Sequence, residues 1–173
     1  MNIIFCGMPM SGKSTLGAAL ALKLGRNFID TDVELEKTYA NAEGEKLSCR
    51  EISIRLGEQA FRHREKLVIK ELLLTTNSVI ATGGGSLCDP ENIQMLKSIG
   101  ILIYLQVHVE VLVERLKQKT NPPSYLNPLD LKASLQELSK HRCLIYEKSA
   151  DIHFDVSSEN TEEMISRVCT LLK

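Results

Sequence analysis

A glycine-bounded loop that ends in a lysine and two hydroxyl residues lies near the start of the chain. Residues 7–15 read GMPMSGKST, and residues 7–14 match the pattern G-x-x-x-x-G-K-[ST] at every fixed position. In such a loop, backbone N–H groups surround phosphate oxygens, the lysine reaches the outer phosphates and the first hydroxyl binds Mg²⁺. The alternative is a plain glycine-rich turn. We predict a nucleoside triphosphate site with Mg²⁺, held by Gly7, Gly12, Lys13, Ser14 and Thr15.

Two carboxylates follow the next apolar segment, NFID, which we predict to be a strand. Asp30 and Asp32 are two residues apart, and in an extended segment they would point to the same side. A phosphotransferase needs one carboxylate near Mg²⁺ and a second that orients or deprotonates the attacking hydroxyl. The alternative is that Asp32 only caps a helix starting at Val33.

Two arginines and a run of three glycines complete the candidate residues. Arg62 and Arg142 lie on separate predicted helices, where either could be an ordinary surface residue. If both face one pocket, they would suit a substrate carboxylate, because a guanidinium donates two parallel hydrogen bonds. Residues 83–85, all glycine, form either a simple turn or a place where backbone N–H groups approach a ligand.

The elements that must position these residues alternate between strands and helices. Such alternation predicts a parallel sheet covered on both faces, with ligands bound beyond the carboxyl ends of the strands. The predicted strands are 2–6, 27–30, 78–82, 101–107 and 152–156. Ser48 and Glu51 form a predicted capping box, and a helix is predicted at about 130–148. The polar, proline-containing stretch 117–128 is predicted to be a functional loop.

Composition narrows the class of protein. A net charge of -1 and an aromatic content of 5% without tryptophan argue against nucleic acid as a partner. No apolar stretch is long enough to span a bilayer, and the short N-terminal apolar run does not read as a signal peptide. The five cysteines form no C-x-x-C pair, which favours free thiols. We therefore expect a soluble, cytoplasmic protein without membrane contacts.

The motifs together resemble those of the shikimate kinase family. They are the loop at 7–14, Asp-Thr-Asp at 30–32, GEQAFR at 57–62, TGGG at 82–85, and Arg142 followed by Tyr146. The resemblance implies an α/β fold, namely a P-loop NTPase-like three-layer α/β/α structure with a five-stranded parallel sheet in the order 2-3-1-4-5 and a lid loop. It implies a single kinase domain over 1–173, with a substrate-binding region at about 32–62 and a lid at about 115–128.

The resemblance also implies an activity and a role for each residue. MgATP would phosphorylate the 3-hydroxyl of shikimate, on the route to chorismate and aromatic amino acids, and we expect a monomer. Asp30 resembles the family's outer Mg²⁺ carboxylate, and Asp32 the residue that holds the shikimate hydroxyls and acts as base. Arg62 and Arg142 resemble the family's carboxylate clamp. Gly83, Gly84 and Gly85 resemble the loop that lines its substrate, and Arg115 resembles its arginine near the adenine.

The lid departs from the family pattern. Family members usually carry Arg-Pro-Leu-Leu there, whereas residues 122–126 of this chain read PPSYL. The arginine that contacts the transferred phosphate is therefore missing. Lys117 or Lys119 could supply a positive charge without the guanidinium fork, and we hypothesise that Lys119 does so at the ATP site.

Two other functions stay open at this point. Another small-molecule P-loop kinase is the first, because gluconate also combines a carboxylate with hydroxyls and nucleoside monophosphate kinases share the loop. A non-catalytic nucleotide-binding module with a degenerate lid is the second. The Asp-Thr-Asp, triple-glycine and Arg142 combination argues against the first alternative, and the complete set of catalytic residue types argues against the second.

Overall fold

A computed structural model describes residues 1–118, 123, 125–127, 129–157 and 160–171. Lys119, which we hypothesise to supply the positive charge of the missing lid arginine, lies outside the described residues. The elements of the described part are β1 (Asn2–Cys6), α1 (Lys13–Leu24), β2 (Asn27–Asp30), α2 (Thr31–Glu43), α3 (Cys49–Leu56), α4 (Glu58–Glu71), a 3-10 turn (Leu72–Leu74), β3 (Ser78–Ala81), a second 3-10 turn (Ser86–Cys88), α5 (Pro90–Ile99), β4 (Gly100–Gln106), α6 (Val109–Lys117), α7 (Leu131–Ser149), β5 (Ile152–Asp155) and α8 (Thr161–Leu171).

The five strands form one parallel sheet in the order β2-β3-β1-β4-β5. The central strand β1 pairs on both sides, with Ile3 opposite Val79 of β3 and Ile101 of β4. All five residues of β1 are buried, as expected for a strand covered by helices on both faces. The predicted α/β class and strand order are confirmed, and the carboxyl ends of β1, β2 and β3 meet at one edge.

Two hydrophobic clusters hold these layers. The larger one fills the space between the sheet and its covering helices. At its edge, α1 packs closely against Phe28 of β2, and a β-carbon on Gly17 would lie only 2.6 Å from Phe28 Cε2. The smaller cluster packs α2, α3 and α4 against one another, through Leu35, Tyr39, Ile52, Phe61 and Val68. The helices that carry Asp32 and Arg62 therefore share a small core of their own.

The start of α2 differs from the sequence-based alternative. The helix begins at Thr31, and Asp30 is its N-cap, with Oδ1 accepting a hydrogen bond from the Asp32 backbone N–H at 3.0 Å. Asp32 therefore belongs to the first helical turn, and the alternative that it caps a helix starting at Val33 is wrong. Extended backbone also ends at Asp30, so the two carboxylates do not share a side by strand alternation.

Other local predictions are confirmed. The capping box at the start of α3 is present, because Ser48 and Glu51 each bond the other's backbone N–H. The helix predicted at about 130–148 is α7, capped by the Asp130 side chain on the Ala133 N–H. Among the described helices, none combines the length and the apolar character that crossing a membrane requires.

Candidate active site

The loop at 7–14 connects the end of β1 to the start of α1 and depends on unusual backbone angles. Gly7 and Gly12 have φ values of 144° and 94°, and Met10 has 66°. Glycine is also required at Gly7 by space, since a β-carbon there would lie 2.7 Å from the Leu105 carbonyl oxygen. The first turn of α1 carries no acidic residue. Its free N–H groups and positive helix end therefore favour an anion at this loop.

Lys13 folds back across its own loop. Its Nζ donates to the carbonyl oxygens of Gly7 at 3.0 Å and Met8 at 2.8 Å, and to Ser11 Oγ at 3.3 Å. Burial lowers the pKa of Lys13 to about 8, although the negative charge of Asp32 acts in the opposite direction. A phosphate group beside this ammonium would favour its charged form again.

Asp30 performs two tasks with its two oxygens. Oδ1 caps α2, while Oδ2 accepts a hydrogen bond of 2.6 Å from Ser14 Oγ. A hydroxyl beside a carboxylate provides the hard oxygen ligands that Mg²⁺ prefers. The described residues contain no group of three or more His, Cys, Asp or Glu that could hold a metal. The pair fits Mg²⁺ in its usual role at nucleotides, where phosphates and water supply most ligands.

Asp32 lies at the centre of the charged residues. Enclosure of the carboxyl group, together with the neighbouring charges of Asp30 and Glu65, raises the pKa of Asp32 to about 6, although the charge of Lys13 acts in the opposite direction. A β-carbon on Gly83 would lie 2.6 Å from Asp32 Oδ1. Asp32 therefore combines a pKa near neutrality, which suits a general base, with a position that only a glycine at 83 allows.

A buried carboxylate braces Arg62 on α4. Arg62 Nη1 donates to Glu65 Oε2 at 2.9 Å, and Nε donates to Glu58 Oε1 at 2.7 Å. Glu65 is 3% exposed, and its other oxygen accepts a hydrogen bond of 2.8 Å from Ser86 Oγ. A β-carbon on Gly85 would overlap the Arg62 guanidinium. The guanidinium is therefore fixed from one helix and enclosed by the glycine loop.

The glycine loop at 83–85 is fixed by the protein itself. The Gly83 N–H donates to Thr31 Oγ1 at 2.8 Å, so this N–H is used internally, unlike the sequence-based expectation that it is offered to a ligand. The Gly84 carbonyl accepts hydrogen bonds from Arg142 Nη1, at 2.9 Å, and from the Tyr146 hydroxyl. The loop thus ties β3 to α2 and α7.

The two other arginines predicted to belong to the site, Arg115 and Arg142, contact backbone carbonyls. The Nη1 of Arg115 on α6 donates to the Met10 carbonyl oxygen at 2.8 Å, which fixes the phosphate-binding loop at its one non-glycine residue of positive φ. Arg142 on α7 is 8% exposed, and its guanidinium carbon lies 5.1 Å from the ring centre of Tyr125.

These residues surround one cleft of about 770 Å³ at the carboxyl edge of the sheet. Gly7 and Arg142 are not among its lining residues, and Arg142 reaches the cleft wall through Gly84 and Tyr125. The predicted residues that do line it are Gly12, Lys13, Ser14, Thr15, Asp30, Asp32, Arg62, Gly83, Gly84, Gly85 and Arg115.

Sequence reasoning missed several residues of the cleft. Glu65 could have been found from its i,i+3 spacing to Arg62 on one helix. A group at the nucleotide side follows β5, where the rule about the carboxyl ends of parallel strands points, and comprises Val156, Asn160, Thr161 and Met164. Another group comes from the start of α3 and comprises Cys49, Arg50 and Ser53. No local motif marks this last group.

A phosphate-binding loop at the central strand of a parallel sheet, beside a carboxylate and an arginine in one cleft, defines a P-loop phosphotransferase for a small acceptor. The family model for shikimate kinase matches residues 9–173. Shikimate kinases of Pelotomaculum thermopropionicum and Clostridium botulinum (strain Loch Maree / Type A3) are 35% and 39% identical, each over 99% of this chain and 95% and 96% of theirs. The chain belongs to the shikimate kinase family.

Solved structures agree with this assignment. Shikimate kinase from Acinetobacter baumannii, in complex with shikimate, superposes with a TM-score of 0.88 at 31% identity, over 99% of this chain and 92% of that one. The enzyme from Aquifex aeolicus gives a TM-score of 0.80 at 34% identity, over 99% and 96% of the two chains.

Proposed function

We propose that this protein transfers the γ-phosphoryl group of ATP to the 3-hydroxyl of shikimate, giving shikimate 3-phosphate and ADP. The observation that supports this most directly is that one cleft joins the phosphate-binding loop to Asp32 and Arg62. Family membership is the second support. We further propose that residues 1–173 act as one kinase domain and as a monomer, with the substrate-binding region and lid at the predicted positions.

At the donor end, the loop N–H groups and the start of α1 would bind the β- and γ-phosphates. Lys13 would exchange the carbonyl oxygens of Gly7 and Met8 for phosphate oxygens. Ser14 and Asp30 would hold Mg²⁺ directly or through water, and the bound ion would neutralise charge on the phosphates. Arg115 already fixes this loop and lies on the side where we expect the adenine.

At the acceptor end, Asp32 would bind the shikimate hydroxyls and accept the proton of the 3-hydroxyl. The freed oxygen forms the bond to the γ-phosphorus as the bond from that phosphorus to the β,γ-bridging oxygen breaks, and ADP leaves. Arg62 and Arg142 would bind the carboxylate, with Gly83, Gly84 and Gly85 shaping the wall. A lysine charge from Lys119 in the lid stays a prediction.

An ADP-release assay tests this proposal, with shikimate, gluconate and nucleoside monophosphates compared side by side. With ATP present, we expect rapid ADP formation when shikimate is the acceptor and not with the other acceptors. Lys13→Ala should lose nearly all activity, whereas Lys23→Ala removes the same charge from an exposed position of the same helix and should change nothing. Faster turnover of gluconate or a nucleotide would contradict the proposal. Binding of ATP and shikimate without ADP formation would indicate the non-catalytic alternative.

A further inference from the structure

Tyr125 is an aromatic residue in the lid region that contacts the acceptor end of the cleft. Its side chain lines the cleft together with Arg62 and Asp32. Its ring lies against the guanidinium of Arg142, with 5.1 Å between the ring centre and Cζ. Tyr125 is 45% exposed, whereas Arg142 is 8% exposed. Tyr125 therefore contacts both the cleft and a buried arginine that is not itself among the lining residues.

The contact restricts the orientation of Arg142. A guanidinium stacks on an aromatic ring through its flat face, which leaves the N–H groups at its edge free to donate. One of these, on Nη1, is bonded to the Gly84 carbonyl oxygen at 2.9 Å. A planar group fixed on one face and at one edge has little rotational freedom, and its remaining donors stay in a single plane. A carboxylate needs such a plane for a two-point hydrogen bond.

The charges around the phenol agree with this geometry. Burial raises the pKa of Tyr125, whereas the positive charges of Arg142 and Arg62 and a hydrogen bond between Arg142 and the phenol group act against that rise. Both arginines proposed to bind the acceptor carboxylate are thus close enough to Tyr125 to influence it.

We infer that Tyr125 is a positioning residue for the acceptor site, whose ring face holds Arg142 in the plane required to bind the carboxylate of shikimate. This inference rests on the proposed function, because it concerns how that acceptor is bound. Tyr125 acts through Arg142 and takes no part in the transfer of the phosphoryl group.

Steady-state kinetics of three variants test the inference. Tyr125→Leu removes the ring and keeps an apolar side chain, Tyr125→Phe keeps the ring, and Leu129→Ala is the control at a 94% exposed position nearby. Loss of the stacking contact should raise the KM for shikimate about tenfold in Tyr125→Leu, with kcat and the KM for ATP changed less than about twofold. Leu129→Ala should behave like the unaltered chain. Tyr125→Phe, which keeps the ring and loses only the hydroxyl, should raise this KM clearly less than Tyr125→Leu does.

The methyl ester of shikimate identifies the group through which Tyr125 acts. Masking the carboxylate removes the partner of Arg142, so Tyr125→Leu should add no further loss with the ester. An equal loss with shikimate and the ester would overturn the inference, as would an equal loss in Tyr125→Phe and Tyr125→Leu. A lower KM in Tyr125→Leu would also overturn it, since the ring would then cover Arg142 rather than orient it.

Tyrosine fluorescence provides a second readout, because the chain has no tryptophan and four tyrosines. Tyr39, Tyr104 and Tyr146 are at most 2% exposed, so Tyr125 is the tyrosine most open to the cleft. Shikimate should change the emission of the unaltered chain and of Leu129→Ala, and not that of Tyr125→Phe. The same shikimate-dependent change of emission in Tyr125→Phe as in the unaltered chain would contradict the inference. Absence of shikimate-dependent ADP release in the unaltered chain would instead refute the proposed function.

Discussion

At the scale of the residue, Asp32 carries conflicting requirements of catalysis and stability. Its pKa is raised to about 6, mainly by burial of the carboxyl group. Ionisation at neutral pH therefore gives a usable base and also leaves a negative charge close to Asp30 and Glu65. A residue of this kind should contribute to activity at a cost in stability.

Replacement of Asp32 by Asn should therefore stabilise the protein while removing its activity. A carboxyl group with a raised pKa binds a proton in the folded state before it does so in the unfolded state, so its contribution to stability is lost as the pH rises through about 6. Asp32→Asn avoids this loss. We expect a gain of about 1 kcal/mol at about pH 8, less than the shift alone implies, because the cleft that encloses the Asp32 carboxyl group is open to solvent, which screens its charge.

Urea unfolding of both proteins at about pH 8 and about pH 5 measures this effect, and the gain should shrink at the lower pH. In the same variant, kcat with shikimate should fall about 10²- to 10⁴-fold. Equal stability of the two proteins at the higher pH would show that Asp32 is not destabilising. Full activity would remove its proposed role as base.

The pH dependence of the reaction follows from the same group. If Asp32 must be ionised to accept the proton, kcat/KM for shikimate should decrease as the pH falls through about 6. The residual activity of Asp32→Asn should show no such decrease. A pH profile with the same acidic limb in both proteins would assign that limb to another group.

At the scale of the element, the start of α2 connects helix capping to the proposed Mg²⁺ site through Asp30. One carboxylate oxygen caps the helix and the other accepts the hydrogen bond from Ser14. Most replacements of Asp30 would remove the helix cap and the charge beside Ser14 together. Asn removes the charge alone, because Asn and Asp both cap helices well.

The variants Asp30→Asn and Asp30→Ala should separate these functions. Asn keeps the capping oxygen, so stability should change little, whereas Ala should cost about 1 kcal/mol. Both lose the charge beside Ser14 and should need more Mg²⁺ for half-maximal rate. Thermal unfolding and a Mg²⁺ titration of activity measure the two effects. Equal stability of the two variants would argue against the capping role, and an unchanged Mg²⁺ requirement would argue against the metal role.

Substitutions at two adjacent glycines of the loop at 83–85 should separate effects on the acceptor from effects on ATP. Gly85→Ala would push the Arg62 guanidinium away from the position in which Glu58 and Glu65 hold it, and should raise the KM for shikimate about tenfold with little effect on ATP. Gly84→Ala would place a β-carbon 2.9 Å from Pro9 of the phosphate-binding loop, and the Gly84 carbonyl also bonds Arg142. It should therefore impair both substrates. Identical effects of the two variants on both KM values would contradict these contacts.

At the scale of the whole molecule, the division into two hydrophobic clusters predicts uneven local stability. Strands β1 and β4 are part of the large core, whereas α2, α3 and most of α4 pack in the smaller cluster, and only Ile69 near the end of α4 belongs to the large core. Smaller clusters open at lower free energy, and these helices carry Asp32 and Arg62. Acceptor binding should therefore stabilise this part of the molecule most.

Hydrogen exchange with and without shikimate tests this expectation. Amides of α2–α4, including the connection at 44–48, should exchange more slowly with shikimate, while those of β1 and β4 should not change. Gluconate at the same concentration is the control and should have no effect. Uniform slowing across the molecule, or none in α2–α4, would contradict the prediction.

Much of the fold and of the donor site could be predicted because their signals are local. The loop at 7–14 is a contiguous pattern between a strand and a helix, so the sequence by itself determined the position of the loop and of its lysine and hydroxyl residues, and it predicts a triphosphate with Mg²⁺ there. Alternation of apolar strands and helices determined a parallel α/β sheet. The resemblance supplied the strand order, since periodicity does not say which strands become neighbours.

The acceptor site depended on contacts that only the tertiary structure decided. Arg142 reaches Gly84 across 58 residues, and Ser86 reaches the buried Glu65 across 21. Such pairs arise from the packing of α4 and α7 against the loop after β3, which no spacing in the sequence specifies. The sequence likewise left open whether residues 31 and 32 continue the strand or begin the helix. The structure shows that the helix begins at Thr31, with Asp30 as its cap. A contiguous motif specifies its own geometry, whereas a site assembled from distant segments takes its geometry from the core that brings them together.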